Sequence, residues 1–355
     1  MNAESHTLPY SVTKRHSTSG SLTMSTAAVS ADPISITTIL QLAGGAVVPR
    51  CLHAVANLGI ADALDEAPQS ADTLAVATGT NAEALARTLR LLTAYGIFEY
   101  ADGLFSHSAT SRLLRADHPQ SLRPLVRMFG LPAFWTMVGE IEYSVKTGLP
   151  AGEHVFEGGT WAHLSRDLEA SRIFDAAMTA KAYGQIGGVL AAYDFSGAHT
   201  IGDIGGGRGH LLRAILDRVP AARGVLFDQP HVVDQVPQSD RLTTQAGDFF
   251  ADDLPACDLY LLMEVIHDWD DDRSRQILGR VRSAAHAGAK VLLIEALMPE
   301  STGPSWPLTL DLWMLTISGK QRSLEEYAAL LGRTGFRFTR VVDTQAGVSI
   351  VEGTV

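Results

Sequence analysis

The chain has 355 residues and a net charge of −11, with 46% hydrophobic and 19% charged residues. This length suggests about two domains, and the composition is that of a globular protein with a sizeable core, which excludes wholesale disorder. Because an acidic chain repels phosphate backbones, we expect no nucleic-acid partner. Two cysteines are too few for a disulfide framework or a four-thiolate zinc site, and no uninterrupted apolar stretch is long enough to span a bilayer. We therefore expect a cytoplasmic protein without a membrane partner.

The N-terminal third is predicted to be mainly helical after a disordered tail. Residues 1–33 are rich in Ser and Thr and lack apolar periodicity, so they cannot bury enough surface to fold alone. Apolar residues then recur at helical spacing, with predicted helix starts at Ser70 and Asn81. An Asp-Gly pair at 102–103, between two short apolar runs, predicts a hairpin. Helices followed by a hairpin are typical of a winged-helix domain, which we place at residues 34–115.

The rest of the chain is predicted to contain a helical region, 116–195, and an α/β domain, 196–355. In the second of these, apolar strand-like segments alternate with helical ones, which favours a doubly wound, mostly parallel sheet. The short link at Gly347 indicates that the last two strands pair antiparallel. The predicted strands are Thr200–Ile204, Gly224–Asp228, Leu242–Gln245, Leu259–Met263, Lys290–Glu295, Phe336–Val342 and Val348–Glu352.

A glycine-rich loop follows the first of these strands. Asp203 is followed by glycines at 205, 207 and 209, which allow a tight turn and a close approach of a ligand to the backbone. The spacing lacks the third glycine of the dinucleotide fingerprint, and no Lys-Ser or Lys-Thr pair completes a P-loop. The pattern therefore favours a nucleoside ligand without a pyrophosphate.

Acidic residues at the ends of the next two strands support a nucleoside site. Asp228 can accept both hydroxyls of a ribose. Asp248 can accept a hydrogen bond from an adenine amine, with Phe249 against the ring face. A glycine turn or a Gly-Asp-Phe turn alone is often purely structural. The three features at the ends of three successive strands favour the nucleoside site.

The segment after the fourth strand, His267-Asp268-Trp269, is a candidate catalytic site. The acidic run at 270–272 is explained by capping of the following helix. A metal site is the alternative, but no second cluster of ligands accompanies this one. Glu295 ends the neighbouring strand, and a carboxylate beside an imidazole fixes its tautomer and stabilises the cation.

Taken together, these motifs resemble the S-adenosylmethionine-dependent O-methyltransferases of the plant caffeic-acid and animal acetylserotonin type, with their bacterial small-molecule relatives. The resemblance covers nearly the whole chain after the tail. It implies an α/β fold, with a Rossmann-like seven-stranded methyltransferase sheet preceded by an N-terminal, mainly helical winged-helix domain that forms a homodimer. It also implies S-adenosylmethionine as the cofactor, S-adenosylhomocysteine as the product and no metal. The motifs that carry it are Asp203–Gly209, Phe227–Pro230, Gly247–Phe250, His267–Trp269 and Ile294-Glu295.

The resemblance also implies a role for individual residues. The implied catalytic residues are His267 as general base, Glu295 as the group that orients it, and Asp268. The implied cofactor-binding residues are Asp203, Gly205, Gly207, Asp228, Asp248, Phe249, Met263 and Trp269. The implied acceptor-binding residues are Phe134, Trp135, Asp311 and Met314, although aromatic residues and methionines at helical spacing also suit an ordinary core.

One residue departs from the family pattern. Relatives usually place a second carboxylate on the histidine from a Gly-Lys-Glu-Arg type segment, whereas this chain has Gln321 there. An amide can orient the ring, but it leaves the pKa of His267 lower than a carboxylate would. An ordinary histidine and a phenol differ in pKa by about 3.5 units, or roughly 5 kcal/mol, so we expect proton removal to be concerted with methyl transfer.

These features predict an O-methyltransferase acting on a flat phenolic or polyketide-like acceptor. One alternative is a family member that binds S-adenosylmethionine but hydroxylates or decarboxylates its substrate instead. Another is a DNA-binding regulator that uses the winged helix. The charges disfavour the regulator, because residues 61–115 contain seven acidic and four basic side chains, where a DNA-facing wing should be basic.

Overall fold

A computed structural model describes residues 33–301 and 303–355. All but the last residue of the predicted disordered tail therefore lies outside the described residues. The chain divides into a small unit ending at Ala46 and a large unit that begins at Val47. In the small unit the described residues form α1 (Pro33–Ala43). In the described ranges no single helix is long and apolar enough to cross a membrane, and α1 with the next helix passes that test only as a broken pair.

The large unit begins with helices and a hairpin. Side-chain oxygens of Ser70 and Asn81 accept hydrogen bonds from backbone N–H groups of the following turn, which confirms both predicted helix starts. Asp102 and Gly103 have φ values of 51° and 83°, the two positive values that a type I′ hairpin turn requires. The elements are α2 (Val47–Asn57), α3 (Ile60–Ala63), α4 (Ala71–Thr78), α5 (Ala82–Ala94), β1 (Phe98–Ala101) and β2 (Leu104–His107).

The following region is helical, as predicted for 116–195. Its short helices are held by a shared apolar cluster that includes Met128, Phe134, Met137 and Ile173, because isolated helices of this length are unstable in water. The helices are α6 (Ala109–Arg112), α7 (Arg123–Phe129), α8 (Pro132–Gly139), α9 (Ile141–Thr147), α10 (Ala151–Val155), α11 (Gly159–Arg166) and α12 (Leu168–Ala192).

The C-terminal part forms a seven-stranded sheet in the order β5-β4-β3-β6-β7-β9-β8. Strands β3 to β7 are parallel, while β9 pairs antiparallel with both β7 and β8. The predicted strands and the antiparallel final pair are confirmed. The strands are β3 (Thr200–Ile204), β4 (Arg223–Asp228), β5 (Leu242–Ala246), β6 (Leu259–Met263), β7 (Lys290–Glu295), β8 (Arg337–Asp343) and β9 (Ser349–Thr354).

Helices cover both faces of the sheet, which explains the nearly unbroken apolar strands. Because successive strand residues face opposite sides, β7 contributes Leu292 and Ile294 to one core and Val291 and Leu293 to the other. The helices that follow the strands are α13 (His210–Arg218), α14 (Pro230–Val233), α15 (Asp271–Ala284), α16 (Trp306–Leu315) and α17 (Leu324–Arg333).

The strand order reverses between β3 and β6. Strand β3 pairs with β4 on one side and with β6 on the other, so the loops that follow β3 and β6 diverge at the carboxyl edge of the sheet. Open α/β sheets bind their ligands in the crevice at such a point. The glycine loop and the His267 segment therefore border the same crevice.

Candidate active site

The loop after β3 is a tight turn with open backbone. Gly205 and Gly207 have φ values of 69° and 58°, a region that residues with a side chain rarely adopt. The Gly205 N–H donates to the carbonyl oxygen of Phe227 at 2.8 Å, which ties the loop to the end of β4. A Cβ added at Gly206 would lie 2.3 Å from Cγ of Asp203. Glycine here keeps a cradle open beside a buried carboxylate.

Two carboxylates, Asp203 and Asp228, flank this cradle. Asp228 accepts hydrogen bonds from the N–H groups of Gly207 at 2.8 Å and Gln229 at 2.7 Å. Asp203 is 1% exposed, and its Oδ1 has no hydrogen-bond partner among the described residues. Burial and the nearby Asp228 raise the pKa of Asp203 to about 7. Because a buried carboxylate oxygen without a hydrogen bond costs free energy, this position suits a cationic or hydrogen-bond-donating ligand.

The segment that follows β5 completes the predicted cofactor site. A Cβ at Gly205 would lie 3.5 Å from Cε1 of Phe249, so the Phe249 ring lies against the glycine loop. The Phe249 and Trp269 rings pack edge to face with centroids 5.9 Å apart. Asp248 is exposed, and its Oδ1 accepts the N–H of Phe250 at 2.9 Å. The structure thus brings the ends of β3 and β5 and the segment after β6 together.

The eight residues predicted to bind the cofactor lie along one edge of the sheet. All eight lie at or beyond the carboxyl ends of β3 to β6, with Met263 as the half-buried last residue of β6. The open glycine backbone, the orphaned oxygen of Asp203 and the Phe249 ring supply room, a countercharge and an aromatic face. Within 33–301 and 303–355, no group of three or more His, Cys, Asp or Glu side chains is placed to hold a metal ion.

The raised pKa of Asp203 predicts pH-dependent cofactor binding. The cation S-adenosylmethionine should bind the ionised carboxylate better than the neutral one. Its affinity should therefore rise as the pH increases through about 7, where Asp203 loses its proton in the free protein. Calorimetric titration at several pH values checks this, and Asp203→Asn should bind more weakly with a flatter pH dependence. The same slope in wild type and variant would mean that another group causes it.

His267 lies in the short 3₁₀ turn after β6, between two carboxylates. Its Nδ1 is 2.7 Å from Oε2 of Glu295, and its Nε2 is 3.3 Å from Oδ1 of Asp268. Glu295 is fully buried, and its Oε1 accepts the N–H of Ile266 at 2.9 Å. Burial lowers the pKa of His267, but the two carboxylates outweigh that effect and raise it to about 10. The predicted proximity of His267 and Glu295 is confirmed.

A buried arginine that sequence reasoning did not single out holds this segment. Arg322 is 1% exposed. It donates hydrogen bonds to the carbonyl oxygens of Ile266 at 3.1 Å and Trp269 at 2.9 Å, and to Oδ1 of Asp271 at 2.8 Å. Asp270 caps α15 as predicted, whereas Asp271 is also the partner of this guanidinium. The backbone on both sides of His267 is therefore fixed by one side chain.

Gln321 makes no side-chain hydrogen bond to His267 among the described residues. Gln321 is 2% exposed, and among the described residues neither side-chain polar atom has a hydrogen-bond partner. Both ring nitrogens of His267 face carboxylates, one from Glu295 and one from Asp268. The second carboxylate thus comes from the residue that follows the histidine.

An aromatic cavity opens beside His267 and Asp268. The predicted acceptor residues Phe134 and Met314 line it, together with other rings and methionines from α7, α8, α12 and α16. The lining consists of Leu125, Met128, Phe129, Phe134, Met137, Thr160, Trp161, Leu164, Phe174, Met178, Lys181, Glu264, His267, Asp268, Trp306, Leu310, Trp313, Met314, Thr316 and Ile317.

Two predicted acceptor residues do not line this cavity. The Trp135 ring instead packs edge to face against His53, with centroids 5.9 Å apart, and lies under the Arg50 guanidinium at 4.9 Å. Adjacent helical residues point about 100° apart, so α8 directs one ring into the cavity and the next away from it. Asp311 accepts the backbone N–H of Gln321 at 2.8 Å and so supports the Arg322 segment.

An ion pair in the cavity wall was also not predicted. Lys181 of α12 and Glu264, the residue after β6, both line the cavity, with Nζ 2.7 Å from Oε1. Glu264 has a φ of 54°, which is uncommon for a residue with a side chain. The only signal in the sequence was a lone lysine in an otherwise apolar stretch of helix.

Comparison with known proteins identifies the family. Residues 139–337 match the O-methyltransferase domain, and residues 40–117 match the O-methyltransferase dimerisation domain. The chain is 38% identical over 323 residues to phenazine O-methyltransferase PhzM of Lysobacter antibioticus, which covers 88% of this chain and 94% of that protein.

Two solved structures share the fold. Human N-acetylserotonin methyltransferase in complex with SAM aligns with a TM-score of 0.82 and 26% identity, covering 92% of this chain and 99% of that one. NcsB1, an O-methyltransferase from neocarzinostatin biosynthesis in complex with SAM and 2-hydroxy-5-methyl naphthoic acid, aligns with a TM-score of 0.72 and 32% identity, covering 86% and 95%. The chain therefore belongs to the family of S-adenosylmethionine-dependent O-methyltransferases, with a dimerisation domain before a Rossmann-like catalytic domain.

Proposed function

We propose that this enzyme methylates a hydroxyl of a small aromatic acceptor in secondary metabolism, with His267 as general base. The observation that carries the proposal is the position of His267, which lines the aromatic cavity while its Nδ1 lies 2.7 Å from the buried Glu295. An imidazole held in this way can take a hydroxyl proton at Nε2, and the carboxylate stabilises the cation that forms.

The residues at the carboxyl edge of the sheet would hold the cofactor. S-adenosylmethionine supplies the methyl group. Asp228 would accept the ribose hydroxyls, Asp203 would pair with a positively charged part of the ligand, and Asp248 and Phe249 would contact the adenine. The orphaned Oδ1 of Asp203 and the open glycine backbone support this arrangement.

Two carboxylates raise the pKa of His267 toward that of a phenol while Asp268 faces the ring. The pKa of His267 is raised to about 10, which is close to the value of about 10 for a phenol. The gap of about 3.5 units expected for an ordinary histidine is therefore narrowed, and Glu295 keeps part of this effect when the acceptor displaces Asp268. At neutral pH the imidazole of the enzyme without acceptor carries a proton. When this protonated imidazole binds a phenolate, the complex is the same as the one formed when a neutral imidazole takes the proton of a phenol. General-base catalysis supplies about 10²–10⁴-fold, and alignment of the reacting atoms supplies the rest.

Asp268 occupies the side of the imidazole where the acceptor must bind. Its Oδ1 is 3.3 Å from Nε2, and its side chain is 30% exposed. A partly exposed carboxylate can turn away at little cost, whereas the fully buried Glu295 cannot. We therefore propose that Asp268 pairs with His267 only while no acceptor is bound, whereas Glu295 orients His267 during proton transfer.

The aromatic lining of the cavity favours a flat aromatic acceptor. The Phe129 and Trp313 rings have centroids 5.1 Å apart, and the Phe134 and Trp313 rings 5.6 Å apart. Such rings favour offset or tilted contacts with another ring. The naphthoic acid in the NcsB1 complex is an acceptor-sized molecule of this kind, seen in a protein of the same fold.

The N-terminal domain would form the homodimer. The match of residues 40–117 to the dimerisation domain supports this role for the predicted domain 34–115. In the same scheme, residues 116–195 contribute to the acceptor cavity and residues 196–355 bind the cofactor.

Three acceptors that share one ring system test the proposal. With labelled S-adenosylmethionine, the enzyme should transfer the methyl group to a naphthol and release S-adenosylhomocysteine. Its methyl ether should be inert, because it offers no hydroxyl. The corresponding naphthylamine tests nitrogen methylation, and a faster reaction of the amine than of the naphthol would overturn the oxygen assignment.

The role of Glu295 predicts a shift in the pH profile. With an acceptor of pKa near 10, kcat/KM of the wild type should rise with pH up to about 10, where His267 loses its proton. Glu295→Gln removes a negative charge, so the pKa of His267 falls and the profile levels off at lower pH, with a reduced maximum because the base is weaker. Steady-state rates at a series of pH values measure this. Asp272→Asn, an exposed acid in the same segment, should keep the wild-type profile, and an unshifted Glu295→Gln profile would contradict the assignment.

A further inference from the structure

The wall of the aromatic cavity holds an ion pair in a lining that is otherwise mostly apolar. Nζ of Lys181 lies 2.7 Å from Oε1 of Glu264, and because a carboxylate has about four acceptor sites, Glu264 can still accept a hydrogen bond from a further donor. The two side chains are 15% and 12% exposed. Gln185, one turn further along α12, is 9% exposed and helps to lower the pKa of Glu264 through a side-chain hydrogen bond, while its own Oε1 has no partner among the described residues. Buried polar atoms without partners are costly unless a ligand satisfies them.

The backbone fixes the position of Glu264. Its N–H donates to the carbonyl oxygen of Ile294 at 2.9 Å, which ties it to the end of β7, and its φ of 54° turns the chain sharply after β6. Burial raises the pKa of Glu264, but Lys181 and His267 outweigh that effect and lower it. Glu264, which precedes His267 in the chain, therefore presents a charged carboxylate to the cavity.

The charges around the cavity disfavour an acidic acceptor. Glu264 and Asp268 line the cavity and Glu295 lies behind His267, and among the described residues that line the cavity Lys181 and a protonated His267 carry the opposing charges. A carboxylate on the acceptor would add a fourth negative charge. A hydroxyl or amine, by contrast, would donate a further hydrogen bond to the carboxylate.

We propose that Glu264, held by Lys181, accepts a hydrogen bond from a second donor group on the aromatic acceptor. The enzyme then selects neutral aromatic compounds with two hydrogen-bond donors, the methylated hydroxyl and one further hydroxyl or amine, over compounds with one. This assignment rests on the proposed function, because it takes the cavity as the acceptor site.

Binding to the S-adenosylhomocysteine complex tests the proposal without any methyl transfer. Trp161, Trp306 and Trp313 line the cavity, so quenching of tryptophan fluorescence reports occupancy. The probes are 2-naphthol and 2,3-dihydroxynaphthalene. The wild type should bind the diol about tenfold or more tightly, the scale of a hydrogen bond to a charged group. Glu264→Gln should reduce that preference to about twofold while its affinity for 2-naphthol stays. Glu142→Gln, an exposed acid in an ion pair with Lys146, is the matched control.

Three results would overturn the inference. These are equal affinity of the wild type for the two probes, no binding of the diol, and an undiminished preference in Glu264→Gln. Tighter binding of 3-hydroxy-2-naphthoate that is lost in Lys181→Met would instead make the pair an anion site. If the enzyme releases no S-adenosylhomocysteine with any hydroxyl acceptor, the proposed function fails. The fluorescence titrations still measure the preference for the diol, because they involve no methyl transfer.

Discussion

Replacing His267 by alanine should lower kcat at least about a hundredfold, which is the low end of what a general base contributes. Cofactor affinity should not change, because the predicted cofactor contacts come from other residues. The buried Glu295 would lose its partner in this variant, so His267→Gln is the companion substitution. Glutamine can still donate a hydrogen bond to the carboxylate but cannot take up a proton. Both variants should be comparably slow.

The measurement is release of S-adenosylhomocysteine at saturating cofactor, with cofactor affinity determined by calorimetry. The control is His286→Ala, because His286 is half exposed and pairs with Asp258 away from the cavity. That variant should keep the wild-type rate. A His267→Gln variant that folds and reacts within about threefold of wild type would remove this residue from the mechanism.

The second large effect should follow from Arg322→Ala. The substitution leaves the carbonyl oxygens of Ile266 and Trp269 without their donor and removes the partner of Asp271. Asp271 is 48% exposed and can be rehydrated, so we expect a loss of about 3 kcal/mol in the free energy of unfolding, the low end for breaking a buried pair. The rate should fall as well, because the segment that carries His267 loses its support.

Denaturant unfolding followed by circular dichroism measures this loss. Arg322→Lys should lie between the alanine variant and wild type, because lysine keeps the charge but not the planar fork of donors. The control is Arg273→Ala, an exposed guanidinium 5.0 Å from the Phe250 ring centroid, which should cost no more than about 1 kcal/mol. If Arg322→Ala is as stable as this control, the buried hydrogen bonds do not support the segment.

The sheet could be predicted because its strands are short apolar runs between turn residues. The predicted bounds of β3, β6 and β7 match those of the structure. The approach of His267 to Glu295 followed from the same prediction. Strands β6 and β7 pair in parallel register, so groups at their carboxyl ends lie side by side. Topology alone therefore placed His267 beside Glu295.

Other contacts could not be predicted because they depend on packing between distant elements. Lys181 and Glu264 meet only because α12 packs beside the end of β6, and neither lies in a local motif. Arg322 is the residue after Gln321, and no sequence pattern indicates its contacts with the His267 segment. The direction of Trp135 depends on how α8 is rotated against its neighbours. Such features arise from tertiary structure.

The most direct test of the account is mass-spectrometric analysis of the products formed from a naphthol and S-adenosylmethionine that carries a labelled methyl group. We predict one molecule of S-adenosylhomocysteine for each molecule of methyl ether, with the label on the acceptor oxygen. A hydroxylated or decarboxylated product without S-adenosylhomocysteine would contradict the account and favour the family member that no longer methylates.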